Sequence, residues 1–189
     1  MEIVSFEFWQ EFALRYGFWG LAFNSFIEAI FFPIPPDVLL IALCIADPQN
    51  AFLYALIATV FSSLGGVAGY FLGYFGGKPL ATRFFGEEKV NKVHKLYESY
   101  ESLIILLAGF TPIPYKVFTI TSGVLFASLR KLIVFSLLGR GLRFFSEAGL
   151  LYFYGESVKE FIFKNLNLIS VGVGIIFILV FFAYRRLKR

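Results

Sequence analysis

The sequence is poor in the residues that build disulfide and metal centres. It has one cysteine, Cys44, and one histidine, His94, in 189 residues. A disulfide framework needs at least two cysteines, and a structural metal cluster needs several cysteine or histidine ligands. We therefore expect no metal and no cofactor, with Cys44 a small core residue and His94 a solvated loop residue. The start of the chain also lacks the basic segment of a signal peptide.

Charged residues are scarce as well, at 16% of the chain against about a quarter in a soluble domain. Apolar residues make up 58%, with 26 phenylalanines and a mean hydropathy of +0.75. A core of this size could not bury so much apolar surface away from water. The composition predicts an all-α integral membrane protein that forms one domain. The net charge of +4 fits Lys and Arg on the cytoplasmic side of a membrane, and we expect no nucleic-acid partner.

Three apolar segments are long enough for the roughly 20 residues that cross a bilayer core. Segments 51–77 and 165–184 carry no charge. Segment 132–155 carries three charged residues, and we expect its charged face to turn inward. Residues 1–20 mix charged and aromatic side chains and predict an interfacial helix. The polar residues 78–101 predict a soluble, helix-prone cytoplasmic connector.

Two other apolar stretches are interrupted by prolines. Pro33 and Pro35 break the first stretch, and Pro112 and Pro114 break the second. Proline removes a backbone donor and biases the preceding residue to extended geometry, so neither stretch can be one continuous helix at that point. Irregular backbone at membrane depth survives when it is buried in protein or lines a wet cavity. Each stretch is therefore predicted to be a re-entrant hairpin of two short helices.

The two proline breaks align with each other. Pro33–Asp37 matches Pro112–Lys116 at an offset of 79 residues. We interpret residues 21–77 and 102–155 as two repeats, each a hairpin followed by one transmembrane helix. Because a hairpin returns to its own side, the second unit must enter from the opposite face, and the two tips meet near mid-membrane. This is the inverted-repeat architecture common in secondary transporters, here followed by a C-terminal transmembrane helix.

The distribution of Lys and Arg indicates the orientation. If the C-terminus is cytoplasmic, that side holds eleven of these residues against three on the other side, and three more lie at membrane depth. The positive-inside rule therefore favours a cytoplasmic connector and a cytoplasmic C-terminus. By parity the N-terminus is then outside.

Six ionisable residues lie within the apolar segments. They are Glu28, Asp37, Lys116, Arg140, Arg143 and Glu147. Each buried charge costs about 2.5–3.5 kcal/mol on insertion scales, so these residues must pair, face water or titrate. One interpretation is a set of buried ion pairs that fixes the packing of the hairpins. The other is a polar site at the centre of the two repeats.

The positions of these residues favour a site. Lys116 lies at a helix start, where the dipole disfavours a cation, so it needs an acid or a bound anion nearby. Arg143 can be neutralised by Glu147 on the same helix face, which leaves Arg140 without a local partner. We predict that Lys116, Arg140 and Arg143 converge on one anion site. The sequence has no HExxH, no GxSxG and no phosphate-cradling loop before a helix, so we expect no enzymatic activity.

These motifs, in this order, resemble the DedA family, the bacterial branch of the SNARE-associated (VTT) membrane proteins. The resemblance rests on Glu28 with Pro33–Asp37, on Phe110–Lys116 and on Gly139–Arg143, within residues 23–155. The residues of the last two motifs are similar to those of the YqaA-like subgroup. The resemblance implies a multi-pass protein of the inner (cytoplasmic) membrane. It also implies movement of lipids such as undecaprenyl phosphate or phospholipids between leaflets.

The resemblance also implies roles for individual residues. Glu28 and Asp37 match the important acids of the family and are expected to exchange protons. The chain departs from the family at Gly109, where an arginine is common. The residues expected to bind the phosphate are Lys116, Arg140 and Arg143.

The favoured function is a flippase or scramblase for a phosphate-bearing lipid, coupled to protons or another cation. Two alternatives stay open: a secondary transporter of a small ion or solute, and a structural membrane protein whose charges serve only packing. A wide lateral opening between the hairpins favours a lipid, and a closed central cavity favours a solute. The expected partners are membrane lipids, and a homo-oligomer is left open.

Overall fold

The computed structural model describes residues 6–77, 83, 86–88, 94, 95, 97, 100–111 and 113–155. Six α-helices are described, and no strand is found among these residues. They are α1 (Phe6–Glu28), α2 (Pro36–Ala46), α3 (Ala51–Leu72), α4 (Glu101–Phe110), α5 (Tyr115–Val124) and α6 (Leu129–Tyr154). The all-α prediction is confirmed. Pro112, most of the connector and the predicted crossing at 165–184 lie outside the described residues.

The first hairpin, hairpin 1, is formed by α1 and α2. Gly17 has a φ of 52° and a ψ of −140°, which interrupts α1 and separates its first turns from the leg that follows. After Glu28 the backbone amides of Phe31 and Phe32 still donate to the Ile27 carbonyl, and the chain then becomes irregular. Helix α2 begins at Pro36, because a proline in the first turn needs no hydrogen-bond donor.

The second hairpin, hairpin 2, is formed by α4 and α5. Helix α4 ends where Thr111 turns to extended geometry, and its amide donates to the Leu107 carbonyl. Helix α5 begins at Tyr115, directly after Pro114. The starts of α2 and α5 are thus separated by the 79 residues that separate the two proline motifs.

Helix α3 is the one described helix that is long and apolar enough to cross a membrane. With a 3-10 turn before it and a π turn after it, the helical segment runs over 30 residues from Pro48 to Gly77. At 1.5 Å per residue this is about 45 Å, more than a bilayer core of about 30 Å. One side of α3 exposes large apolar side chains such as Leu53, Leu56 and Leu64. That side fits contact with lipid.

The other side of α3 packs closely on both hairpins through glycines. A Cβ atom at Gly65 would meet the Phe26 carbonyl of hairpin 1. A Cβ atom at Gly73 would meet the Ile120 carbonyl of hairpin 2, and Gly77 also packs on that helix. Hairpin 1 packs through α2 with Ala51, Ala55 and Ala58 in the N-terminal half of α3 and reaches Gly65 through α1. Hairpin 2 lies along the C-terminal half. Gly65, Gly69, Gly73 and Gly77 recur at every fourth residue, and this glycine stripe serves close helix packing.

Helix α6 completes the arrangement by running antiparallel to α3. Near its start, Leu132 packs with Ile105 of α4 and Tyr70 of α3. Near its end, Leu151 joins the apolar core that contains Leu43 of α2. The two hairpins thus extend in opposite directions from a common level near the middle of α3. This is the arrangement that an inverted repeat requires, and the repeat relation itself stays a prediction.

Two expectations about the connector region are wrong. Glu101 is not a solvated connector residue, because it begins α4 with a side chain only 1% exposed and bonded to Lys131 Nζ at 3.2 Å. His94 is not fully solvated either, because it is half-buried and its Nδ1 contacts the Leu125 carbonyl. Cys44 is a buried core residue, as expected.

The glycine contacts generate a stability prediction. Gly65→Ala and Gly73→Ala place a methyl group against a backbone carbonyl, which has no rotamer by which to move away. We expect each to lower the free energy of unfolding by about 1–3 kcal/mol. Gly149→Ala is the matched control, because a Cβ atom there has no neighbour within 4 Å. Thermal unfolding in one detergent measures all three, and equal melting temperatures would contradict the packing described.

Candidate functional site

The tips of the two hairpins face charged side chains. The Lys116 ammonium donates to the Phe32 carbonyl of hairpin 1 at 2.8 Å. The Arg143 guanidinium donates to the Thr111 carbonyl of hairpin 2 at 2.9 Å. Both carbonyls lie where a helix has ended, so neither has the partner that a continuing helix would supply. Each broken helix is therefore completed by a cation from elsewhere in the chain.

Arg140 forms the most buried ion pair in the described part of the chain. Its Nη2 lies 2.7 Å from Glu28 Oε2, with side-chain exposures of 4% and 13%. The guanidinium carbon lies 4.4 Å from the centre of the Tyr115 ring and 5.5 Å from that of Phe144. A guanidinium is planar and weakly hydrated, so it can stack on aromatic rings while it pairs with a carboxylate. The pair joins α1 to α6.

Arg143 pairs with two acids. It lies 2.6 Å from Asp37 Oδ1, and its Nε lies 3.3 Å from Glu147 Oε1, one turn further along α6. Asp37 is in the first turn of α2, where the helix dipole favours an anion. The three side chains are 12–21% exposed. This cluster joins α2 to α6, and the Thr111 bond adds the end of α4.

The structure brings the six predicted ionisable residues to the level of the tips, where five of them form ion pairs. Arg140, which lacks a local partner in the sequence, is paired with Glu28 from 112 residues earlier in the chain. Lys116 has a backbone carbonyl as its partner, and no described carboxylate lies within 4 Å of it. Convergence of Lys116, Arg140 and Arg143 on one anion stays a prediction, since each is bonded here to protein atoms.

Tyr115 belongs to this site, although the sequence reasoning overlooked it. Its side chain is 2% exposed, and its hydroxyl donates to Ser136 Oγ at 2.5 Å. Gly66 makes room for the ring, because a Cβ atom there would overlap the tyrosine hydroxyl. The signal was present in the sequence: Tyr115 directly follows the second proline break, and Gly66 lies beside the glycine stripe.

Four small polar side chains are buried on α1, within one turn before Glu28, and on α3. These residues are Asn24 and Ser25 on α1 and Ser62 and Ser63 on α3, and we call them the polar seam. All are at most 5% exposed, and Ser62 lies one turn before the Gly65 contact with α1.

Several polar atoms of this region have unused bonding capacity. Asn24 Nδ2, the hydroxyls of Ser25, Ser62 and Ser63, and Arg140 Nε have no hydrogen-bond partner among the described protein atoms. Buried polar groups are normally paired. The seam can therefore bond water or the polar part of a ligand.

Comparison with known proteins gives a consistent result. The family model of the VTT domain matches residues 32–153. An uncharacterized protein of Haemophilus influenzae is 32% identical over 171 residues, which cover 89% of this chain and 89% of that protein. An uncharacterized HI0703 homolog of Histophilus somni is 33% identical over 88% of this chain and 89% of its own length.

A more distant relative is the uncharacterized protein MJ0201 of Methanocaldococcus jannaschii. It is 31% identical over 119 residues, which cover 61% of this chain and 74% of that protein. No solved structure matches the chain.

The Glu28–Arg140 pair generates a second stability prediction. Arg140→Gln leaves Glu28 buried beside no cation, and we expect a loss of about 3–5 kcal/mol in the free energy of unfolding. The double variant Glu28→Gln with Arg140→Gln should lose clearly less, because no unpaired charge remains. Arg130→Gln, exposed on the same helix, is the control and should melt like wild type. Equal losses in the single and double variants would contradict a buried, paired charge.

Proposed function

The chain belongs to the VTT domain (DedA) family, and from this premise we propose that it moves a phosphate-bearing lipid between the leaflets of a membrane. Members of the family are membrane-associated, and the family is regarded as transporter-like. Undecaprenyl phosphate and phospholipids are the substrates we favour. The YqaA-like subgroup stays a prediction.

The observation that carries the proposal is the buried set of arginines and acids at the level of the two tips. A lipid phosphate that crosses a bilayer needs cationic partners at mid-depth, where water is scarce. Arg140 and Arg143 have the planar fork that binds phosphate oxygens in pairs. The polar seam supplies further buried hydroxyl groups that have no partner among the described protein atoms. The headgroup would pass between the hairpins while its tails stay in lipid.

Exchange of ion partners gives the transport step. A phosphate that reaches the tips competes with Glu28 and Asp37 for the guanidinium donors, because carboxylate and phosphate oxygens accept the same bonds. The displaced carboxylates take up protons, since an unpaired carboxylate is costly to keep charged away from water. Release of these protons restores the two ion pairs and expels the phosphate. Lys116 supplies a third cation that binds the phosphate of the headgroup.

The membrane setting of this proposal follows from the sequence. We place the protein in the inner membrane as a multi-pass protein, with its C-terminus in the cytoplasm. Hairpin 2 then opens toward the cytoplasmic side, because the connector precedes it. The runner-up function, transport of a small ion or solute, would use the same acids as a cation site.

Reconstitution tests the proposed function directly. Purified protein is placed in liposomes, and leaflet-specific assays follow labelled polyprenyl phosphate and labelled phospholipid. We expect Lys116→Gln and the double variant Glu28→Gln with Arg140→Gln to slow transport about ten- to a hundredfold. A charge-assisted bond to phosphate is worth roughly 1.5–3 kcal/mol, which sets that range.

Arg130→Gln is the matched control and should transport at the wild-type rate. Melting temperatures of the same samples separate loss of a site from loss of fold. Stable, inactive variants support the proposal. Variants that are destabilised yet fully active per folded molecule would refute it and favour the packing interpretation.

The two acids generate a prediction about coupling. Glu28→Gln and Asp37→Asn remove a group that exchanges protons, so we expect that the molecules that fold no longer respond to a proton gradient in their transport. The measurement is the transport rate over a pH series, with and without a gradient across the liposome. Wild-type rates and wild-type pH dependence in both variants would exclude these acids from proton coupling.

A further inference from the structure

A cavity of about 430 Å³ lies between the legs of hairpin 2, and we call it the hairpin 2 groove. Its walls are almost wholly apolar and include Leu103 and Leu107 of α4 and Val117 and Thr121 of α5. The wall residues of α4 recur at helical spacing, so one face of that helix lines the groove. Val117 is 55% exposed, and the groove therefore has an open side.

The groove has two different ends. One end lies at Tyr97 and Tyr100, before and at the start of α4, and the other lies at Ile113 in the hairpin tip. Helix α4 has ten residues, a length of about 15 Å. Half of a bilayer core is also about 15 Å. Because the tip lies near the middle of α3, the groove extends over the hydrocarbon depth of one leaflet.

The dimensions limit what can occupy the groove. A volume of about 430 Å³ spread along about 15 Å gives a mean cross-section of roughly 30 Å². A helix about 10 Å wide needs roughly 80 Å², so the groove could hold only one edge of a helix and would leave most of it outside. Water is not favoured in a cavity with apolar walls. A single hydrocarbon chain matches both the length and the width.

The tyrosine end of the groove suits a headgroup. Tyrosines are enriched at the membrane–water interface. The Tyr97 hydroxyl bonds Ser122 Oγ of α5 at 2.8 Å. Lys131 lies at this end, because it bonds to Glu101, the residue that follows Tyr100. Basic side chains at the interface attract the phosphate of an anionic lipid.

From these observations we propose that the hairpin 2 groove binds one hydrocarbon chain of a phosphate-bearing membrane lipid, with its headgroup at the tyrosine end. The chain end then reaches the hairpin tip, next to Lys116. This inference rests on the proposed function and deepens it. The groove holds the lipid by its tail on the hairpin 2 side before the headgroup leaves the interface for the polar seam.

Photolabelling of the intact protein in liposomes tests the proposal. The probes are phosphatidic acids that carry a diazirine either at the chain end or close to the headgroup. After irradiation, peptide mapping identifies the labelled residues. We expect the chain-end probe to label residues near Ile113 and Leu107, and the headgroup-proximal probe to label residues near Tyr100. Labels spread evenly over the lipid-facing sides of α3 and α6 would overturn the proposal.

Variants that fill the groove with a larger side chain test the proposal against a matched variant outside it. Val117→Trp and, separately, Thr121→Phe should lower labelling of α4 by the chain-end probe at least fivefold. Val134→Trp on α6 is the control, because Val134 is 51% exposed and Val117 is 55% exposed. Melting temperatures identify any variant that fails to fold. Unchanged labelling in both folded groove variants would overturn the proposal.

Two further comparisons test the role of the phosphate and the role of the groove separately. A diacylglycerol probe with the same chains should label α4 several-fold more weakly, and equal labelling would refute the role of the phosphate. The binding assay needs no transport. Groove labelling without lipid movement would therefore refute the proposed function alone, and lipid movement without groove labelling would refute this inference alone.

Discussion

The middle of this molecule is governed by one constraint, that a charge in apolar surroundings needs a partner within a few ångströms. Arg143 meets it by bonding Asp37 of α2, Glu147 of α6 and the Thr111 carbonyl at the end of α4. One guanidinium thus joins three helices from both halves of the chain. A lysine has a single nitrogen and could not reach all three acceptors in these directions. Both hairpins are bonded to this residue, hairpin 1 through Asp37 and hairpin 2 through Thr111.

Local chemistry made the breaks and the starts of the short helices predictable. Proline acts on its immediate neighbours, so α2 begins at Pro36 and α5 begins directly after Pro114. The ionisable residues of the apolar segments could also be identified from the sequence, because charged residues are scarce there. The membrane class follows from composition alone, because no soluble core of this size could bury so much apolar surface.

The partners of the charged residues could not be predicted, because pairing depends on how distant helices pack. Nothing near Arg140 in the sequence indicates Glu28, and nothing near Lys116 indicates a backbone carbonyl. The burial of Glu101 could not be predicted for the same reason, because Lys131, which pairs with it, lies thirty residues later in the sequence. Single serines such as Ser62 carry no sequence signal that separates a polar seam from plain packing.

The glycine contacts of α3 have a mechanical consequence. Where Gly73 and Gly77 meet hairpin 2, the backbone of this segment lies directly against the neighbouring helix. Its interlocking side chains there are those of Tyr70, which bonds the Ala127 carbonyl, and Tyr74, which packs on Phe126. A rigid-body slide of hairpin 2 along this track would require few rotamer changes from α3. Resistance to the slide is then concentrated in a few polar bonds, among them those of Lys116 and Tyr115. The contact between α3 and hairpin 2 therefore combines a smooth backbone surface, along which the helices can slide, with a small number of hydrogen bonds that must break.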